Sequence, residues 1–217
     1  MSVTLKQIPI LSGLTDSELL KVEAAASTKT FPKGAVIINE GDSGSSMFLL
    51  LQGRVKVFVS DGHGKEFVLA VLGPGECVGE LALLDDEPRT ASVETEEVAI
   101  FMVIQKEDFL KLLKDSPQIQ FKLLLNLVGR ARQLTEAVKN LALKDVYSRV
   151  RLLFEDLAIE REGQYLIEEP MTQQAIADRV GSSREMVARI MKELVFGGYI
   201  RVENKRLLIV QKLPEAF

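Results

Sequence analysis

Two short runs, Gly79-Glu80-Leu81-Ala82-Leu83 and Pro88-Arg89-Thr90-Ala91-Ser92-Val93, place a glutamate and an arginine nine residues apart. Together these residue types can hold a phosphate and the sugar attached to it. Gly79 lets the backbone approach a ligand with no Cβ in the way. Glu80 to Leu83 suits a single helical turn whose free N–H groups face an anion. Arg89 offers a planar fork of donors that matches two phosphate oxygens. Thr90 adds a hydroxyl donor, and Glu80 is an acceptor suited to a ribose hydroxyl.

A second run with chemical potential spans Met171 to Leu194. Thr172 can cap a first helix on which Ala175, Ile176 and Val180 face inward. Gly181 suits a tight turn. In the helix that follows, Val187, Ile190 and Leu194 form a buried stripe, so Ser183, Arg184, Glu185 and Arg189 occupy the opposite face. A helix presented this way can enter the major groove of DNA. There arginine pairs bidentately with guanine, and glutamate accepts from the cytosine amine. Glu185 would repel phosphate, so it needs either a base donor or an arginine to orient. Charge is distributed to match: residues 171–212 carry eight Lys/Arg against four Asp/Glu, whereas residues 1–170 carry nineteen against twenty-six. A basic block on an acidic body suits a small module that contacts nucleic acid.

Residues 4–27 read as helical, with caps available around Thr15 and Asp16. From Thr28 the texture changes to short β-rich runs separated by glycines: Ala35–Ile38, Met47–Leu51, Val55–Val59, Phe67–Val71, Ala91–Val93 and Val98–Ile104. That pattern predicts a barrel or roll. After Lys106 the pattern is helical to about Asn140. Leu124, Leu127, Ala131, Leu134, Val138 and Leu141 recur at 3, 4, 3, 4, 3, a heptad seam that calls for a partner helix. Packing of that seam on the chain's own β-domain is the plainer alternative to a two-fold homodimer. Lys144-Asp145 reads as a hinge before a helix over Val146–Ile159. Glu160–Gln164 reads as a charged turn and Tyr165–Glu168 as a short strand. Helices at about 173–180 and 183–195 are followed by runs at Tyr199–Glu203 and Leu207–Lys212 that turn at Asn204-Lys205, which makes a winged helix-turn-helix.

The first run resembles the phosphate-binding cassette of cyclic-nucleotide-binding domains. Gly34-Ala35-Val36-Ile37, Glu40-Gly41-Asp42 and Phe48 to Val57 resemble the early strands of those domains. Ser183-Arg184-Glu185-x-Val187-x-Arg189 is similar to the recognition helix of the bacterial catabolite activator and its relatives. On these motifs, in this order, the chain resembles the catabolite activator/fumarate-nitrate regulator (CRP/FNR) family of transcription regulators, cyclic-nucleotide branch, over almost its whole length. The resemblance implies an α+β architecture. Residues 1–115 would form a cyclic-nucleotide-binding β-roll (double-stranded β-helix or jelly-roll) with an N-terminal helix, residues 116–143 a long dimerisation helix, and residues 144–217 a winged helix-turn-helix.

It implies further that Gly79, Glu80, Leu81, Ala82, Arg89 and Thr90 line the nucleotide, and that Thr135 reaches its base. Leu134 stands where the catabolite activator has a first hydroxyl contact to adenine. The resemblance makes cyclic AMP the leading expectation as allosteric ligand, and the absence of that first contact leaves cyclic GMP and cyclic di-GMP open. Arg184, Glu185 and Arg189 would read a palindromic TGTGA-like site. Thr172, Gln173, Gln174 and Ser182 would hold phosphates or flank the site, and Ser183 would face the DNA at the start of the recognition helix. Double-stranded DNA, a second copy of the chain and RNA polymerase are the implied partners.

One cysteine, Cys77, and one histidine, His63, leave no intramolecular disulfide, no cysteine-ligated iron–sulfur cluster and a poor supply for zinc. Cys77 reads as a small core residue and His63 as a solvated turn residue. The start MSVTLKQIPI lacks a basic segment leading into a long apolar run, and no stretch of about 20 apolar residues occurs. A cytoplasmic protein is expected, with neither a secretion signal nor a membrane span. No nucleophile–base pair, metal set or P-loop suggests an enzyme. Two other readings remain. One is a ligand-independent DNA binder with a vestigial roll, in which Glu80 and Arg89 would be a structural ion pair. The other is a nucleotide-sensing module that controls a protein partner.

Overall fold

The computed structural model describes residues 8–12, 14–161, 163–203 and 206–215. They fall into two compact units, one of residues 1–59 with 69–133 and one of 60–68 with 134–217. No described helix is long and apolar enough to cross a membrane.

In the first unit, α1 (Asp16–Ala24) starts at a capping box. Thr15 accepts from the Glu18 amide, and Glu18 accepts in return from the Thr15 amide. The helix is shorter than the expected 4–27. A 3-10 turn at Pro9–Leu11 precedes it, Ala26 and Ser27 already belong to β1 (Ala26–Phe31), and residues 1–7 lie outside the described residues. Next come β2 (Val36–Ile38), β3 (Ser46–Gln52), β4 (Val55–Ser60), β5 (Glu66–Leu72), β6 (Cys77–Val78), the single turn α2 (Leu81–Leu84), β7 (Ser92–Thr95) and β8 (Ala99–Gln105). They form two sheets of order β1-β8-β3-β6 and β2-β7-β4-β5. β1 and β6 were not anticipated. β1, Ala-Ser-Thr-Lys-Thr-Phe, is mostly exposed, and β6 has only two residues, so neither carries a hydrophobic period.

β3 and β8 are almost continuously apolar because both faces of their sheet are covered. Phe48, Leu50, Phe101 and Val103 meet Ile38, Val55 and Val93 between the sheets. Met47, Leu49, Met102 and Ile104 turn the other way, onto Leu19 and Val22 of α1, Phe109 of α3 (Lys106–Asp115), and Ile119 and Leu123 of α4 (Pro117–Leu143). Helix therefore follows Lys106 as expected, but Ser116-Pro117 divides it, since proline disfavours helical backbone in the residue before it.

In the second unit, Asp145 accepts from the Ser148 amide at 2.7 Å and so caps α5 (Val146–Leu157) at the expected hinge. β9 (Ile159–Arg161) and β10 (Gln164–Ile167) lead to α6 (Gln173–Val180), α7 (Arg184–Phe196), β11 (Ile200–Glu203) and β12 (Arg206–Ile209). The sheet runs β11-β12-β10-β9. Its core joins Val150, Phe154, Ile167, Ile176, Ala177, Val187, Leu194 and Ile200. The wing turn expected at Asn204-Lys205 lies outside the described residues.

Candidate functional site

The loop from β6 into α2 carries Gly79 at φ +84°, and a Cβ there would collide with the Arg89 guanidinium. Arg89 is 7% exposed. Its amide donates to the Asp42 carbonyl at 2.8 Å, and its carbonyl accepts from Gly41 at 2.8 Å. The side chain donates to the Ser46 carbonyl at 2.5 Å and to the Gly79 carbonyl. The guanidinium thus ties together the backbone of the loop and of β3. Burial pushes its pKa down, while Glu80 and then Asp42 push it up.

Glu80 has no solvent-exposed surface. One carboxylate oxygen accepts from Arg130 Nη1 of α4 at 2.6 Å. The other, Oε2, is buried with no partner. Burial raises the Glu80 pKa above its ordinary value, and Arg130 is the chief opposing influence. Arg130 also donates to the Cys77 carbonyl. The Cys77 thiol is pushed up to about 12, first by burial and then by Glu80, so it stays protonated and inert at neutral pH.

Gly79, Glu80, Leu81, Ala82, Arg89 and Thr90 are brought together as lining of one cradle, joined by Arg130 and by the apolar Ile38, Val57, Val78, Ala91 and Val93. Thr135, exposed further along α4, falls in the other compact unit. The ion pair that a vestigial roll would place between Glu80 and Arg89 is absent; Glu80 pairs with Arg130 instead. Arg130 escaped sequence reasoning, although a signal was there. Ile119 and Leu123 mark the buried face of α4, and continuing in helical steps through Asn126 and Leu127 reaches Arg130, not Arg132.

Free space in the cradle is only about 60 Å³. A roomier cleft of about 620 Å³ lies against β10 and β12, but among the described residues none of its lining side chains has a buried, unpartnered polar atom. The smaller cavity, by contrast, holds the unmet acceptor of Glu80, a position that a donor entering the cradle would satisfy.

In the second unit Gly181, at φ +63°, closes α6 in the left-handed conformation. Thr172 caps α6 by accepting from Ala175, and Ser183 caps α7 by accepting from Met186 at 3.2 Å. Each hydroxyl keeps its own proton to donate. Gln174 donates to Asp178 at 2.7 Å, Gln173 is exposed, and Ser182 is half-buried. On α7, Val187, Ile190, Met191 and Leu194 are buried. Arg184, Glu185 and Arg189 are exposed, with no hydrogen-bond or ion-pair partner among the described residues. Arg179, by contrast, turns inward and donates to Glu169 at 2.7 Å.

Along α4, Leu124 (56%), Leu134 (47%), Val138 (64%) and Leu141 (40%) are exposed, but Leu127 packs against the chain's own core. Phe121 and Val128 are exposed instead. The uncovered register is therefore Phe121, Leu124, Val128, Ala131, Thr135 and Val138, again spaced 3, 4, 3, 4, 3. His63 is exposed in its turn, with its amide on Asp61 at 2.9 Å.

Residues 28–116 match the family model for the cyclic nucleotide-binding domain, and residues 148–215 match that for the Crp-like helix-turn-helix domain. The chain is 29% identical to a CRP-like cAMP-activated global transcriptional regulator of Mycobacterium tuberculosis, over 96% of this chain and 95% of that one. It is 29% identical to a cyclic AMP receptor protein of Thermus thermophilus, over 91% of this chain and 90% of that one. In fold it is similar to a c-di-GMP-responsive global regulator of Xanthomonas campestris, with a TM-score of 0.81, 24% identity and coverage of 91% and 100%.

Proposed function

We propose that the chain, a member of the CRP/FNR family of DNA-binding transcription regulators, acts as a cyclic-AMP-responsive homodimer on a palindromic, TGTGA-like operator and has no enzymatic activity of its own. The observation that carries this reading is the orphaned Oε2 of Glu80, held beside Arg130 in the same cradle as Arg89. A buried acceptor without a donor costs free energy, and a ribose hydroxyl is the donor that would relieve it. The ligand phosphate would then take the Arg89 guanidinium from the carbonyls of Gly79 and Ser46, with Thr90 and the α2 turn around it. The cradle opens as the nucleotide enters.

The domain division 1–115, 116–143 and 144–217 goes with this reading. Two copies pair through α4, along Phe121, Leu124, Val128, Ala131, Thr135 and Val138, with Leu134 and Leu141 on the flank. Thr135 serves the nucleotide base. Arg184, Glu185 and Arg189 read base edges, while Thr172, Gln173, Gln174, Ser182 and Ser183 hold the backbone. Recognition helices about 34 Å apart fit a two-fold site. The protein works in the cytoplasm, with RNA polymerase as its further partner. The ligand must bind the two arrangements of the α4–hinge segment unequally for the signal to pass.

The contracted cradle, whose arginine is already satisfied by carbonyls, favours a second reading: a ligand-independent DNA binder. One calorimetric panel separates the two. Cyclic AMP, cyclic GMP and cyclic di-GMP are titrated into wild-type and Arg89→Ala protein, and operator affinity is read with each. Binding by the wild type alone, together with tighter operator binding, supports the sensor. No binding by either leaves the ligand-independent reading. A stronger response to cyclic di-GMP or cyclic GMP reassigns the ligand.

A further inference from the structure

Helix α7 buries Val187, Ile190, Met191 and Leu194. Over its cap and first two turns the exposed side chains are Ser183, Arg184, Glu185, Met186 and Arg189. All but Met186 are polar or charged, yet 37% of Met186 is open to solvent. At about 3.6 residues per turn, Arg184 and Met186 bound the exposed arc, with Glu185 and Arg189 between them. Met186 stands one helical turn before Arg189, so the two side chains are neighbours on the helix surface. Its backbone is held at the cap of the helix, where the Met186 amide donates to the Ser183 hydroxyl at 3.2 Å.

A single exposed apolar side chain is ordinary on a protein surface. This one lies at the end of the helix that presents side chains to base edges, among neighbours that all suit polar partners. Methionine has no donor, and its sulfur accepts only weakly. It gains little from a phosphate or from the polar edges of guanine, adenine and cytosine. The apolar group that base pairs display in the major groove is the C5 methyl of thymine. An unbranched, flexible thioether chain adapts to a target that small. Val195 and Phe196 are exposed too, but they close the helix, roughly 15 Å further along its axis and away from the base-reading end.

We propose, on the reading of α7 as the DNA-recognition helix, that Met186 is a specificity-determining residue: it packs on the methyl group of one thymine in each half-site, beside the base pair read by Arg189. The test starts from operators that the full chain selects from a random duplex library, with cyclic AMP present and absent. Each thymine of the selected operator is then replaced in turn by deoxyuridine, which removes the methyl group and leaves every hydrogen-bonding group in place. With wild-type protein, uracil at one thymine per half-site weakens binding about fourfold. Met186→Ala protein binds the thymine operator more weakly by a similar factor and no longer distinguishes thymine from uracil at that position, whereas Met186→Leu protein keeps the distinction. A helix merely loosened by the substitution would bind all operators more weakly and keep its sensitivity to uracil. Wild-type affinity indifferent to uracil at every position, a thymine preference intact in Met186→Ala protein, or a sensitive thymine remote from the base pair at which Arg189→Ala protein loses discrimination each overturns the assignment. In those cases loss of discrimination in Arg184→Ala protein still shows that α7 reads bases, whereas enrichment of no sequence at all overturns both.

Discussion

Arg130 holds Glu80 by one carboxylate oxygen, at 2.6 Å, and leaves the other oxygen of the same buried group with nothing to accept. Arg130 thereby ties the long helix to the cassette, with a second bond to the Cys77 carbonyl, and the unmet oxygen of Glu80 is one that a ligand hydroxyl would satisfy.

Breaking the pair from one side strands a buried charge. Arg130→Met at pH 7 is expected to cost about 3 kcal/mol of folding free energy, measured by urea denaturation with circular dichroism. Adding Glu80→Gln recovers much of that loss. Strictly additive losses in the double variant would show that the two residues are not coupled.

The pH response follows from the same carboxyl. Burial raises the folded pKa of Glu80 above the ordinary 4.5, so its own contribution to folding is fullest below that ordinary value and is lost as pH rises through the raised one. Ligand binding has the opposite sign. A hydroxyl donating to Oε2 favours the ionised form, so nucleotide affinity falls as pH drops through the raised pKa toward 4.5. Calorimetry across that window should show proton release on binding in the wild type and a flat profile in Glu80→Gln protein. Identical profiles would remove Glu80 from the ligand contacts.

For the dimer, Val128→Asp places a charge on the uncovered face of α4 and should yield monomer in sedimentation. Leu127→Asp should instead destabilise the first unit, because Leu127 packs against its core. A Val128→Asp protein that remains dimeric would put the interface elsewhere.

At the DNA end, Arg184→Ala should lose about 1–3 kcal/mol of discrimination at one base pair. A loss spread evenly over all operator variants would mean that Arg184 touches only phosphate.

Ser183→Ala is a control of a different kind. It removes the α7 cap and should cost about 1 kcal/mol of stability. The three tyrosines, Tyr147, Tyr165 and Tyr199, all lie in the second unit, and the chain has no tryptophan. Tyrosine fluorescence therefore reports on that unit, and an unchanged transition would show that the hydroxyl does not cap.

Sequence alone determined the succession of roll, long helix and winged unit, the strongly apolar strands, the cassette with Gly79, Glu80 and Arg89, and the exposed trio on α7, but not the short or polar strands β1, β6 and β9. These are local properties: a period of two or of 3.6, a glycine where a turn must bend, a helix whose apolar stripe dictates which residues face outward. Tertiary structure decided what depends on contacts between distant segments. It chose Arg130 over Arg89 as the partner of Glu80, fifty residues away along the chain. It moved the free seam of α4 from Leu127 to Val128, because the β-roll already covers one side of that helix. A heptad pattern records which residues are apolar, but the element that comes to cover each of them is set only when the chain packs.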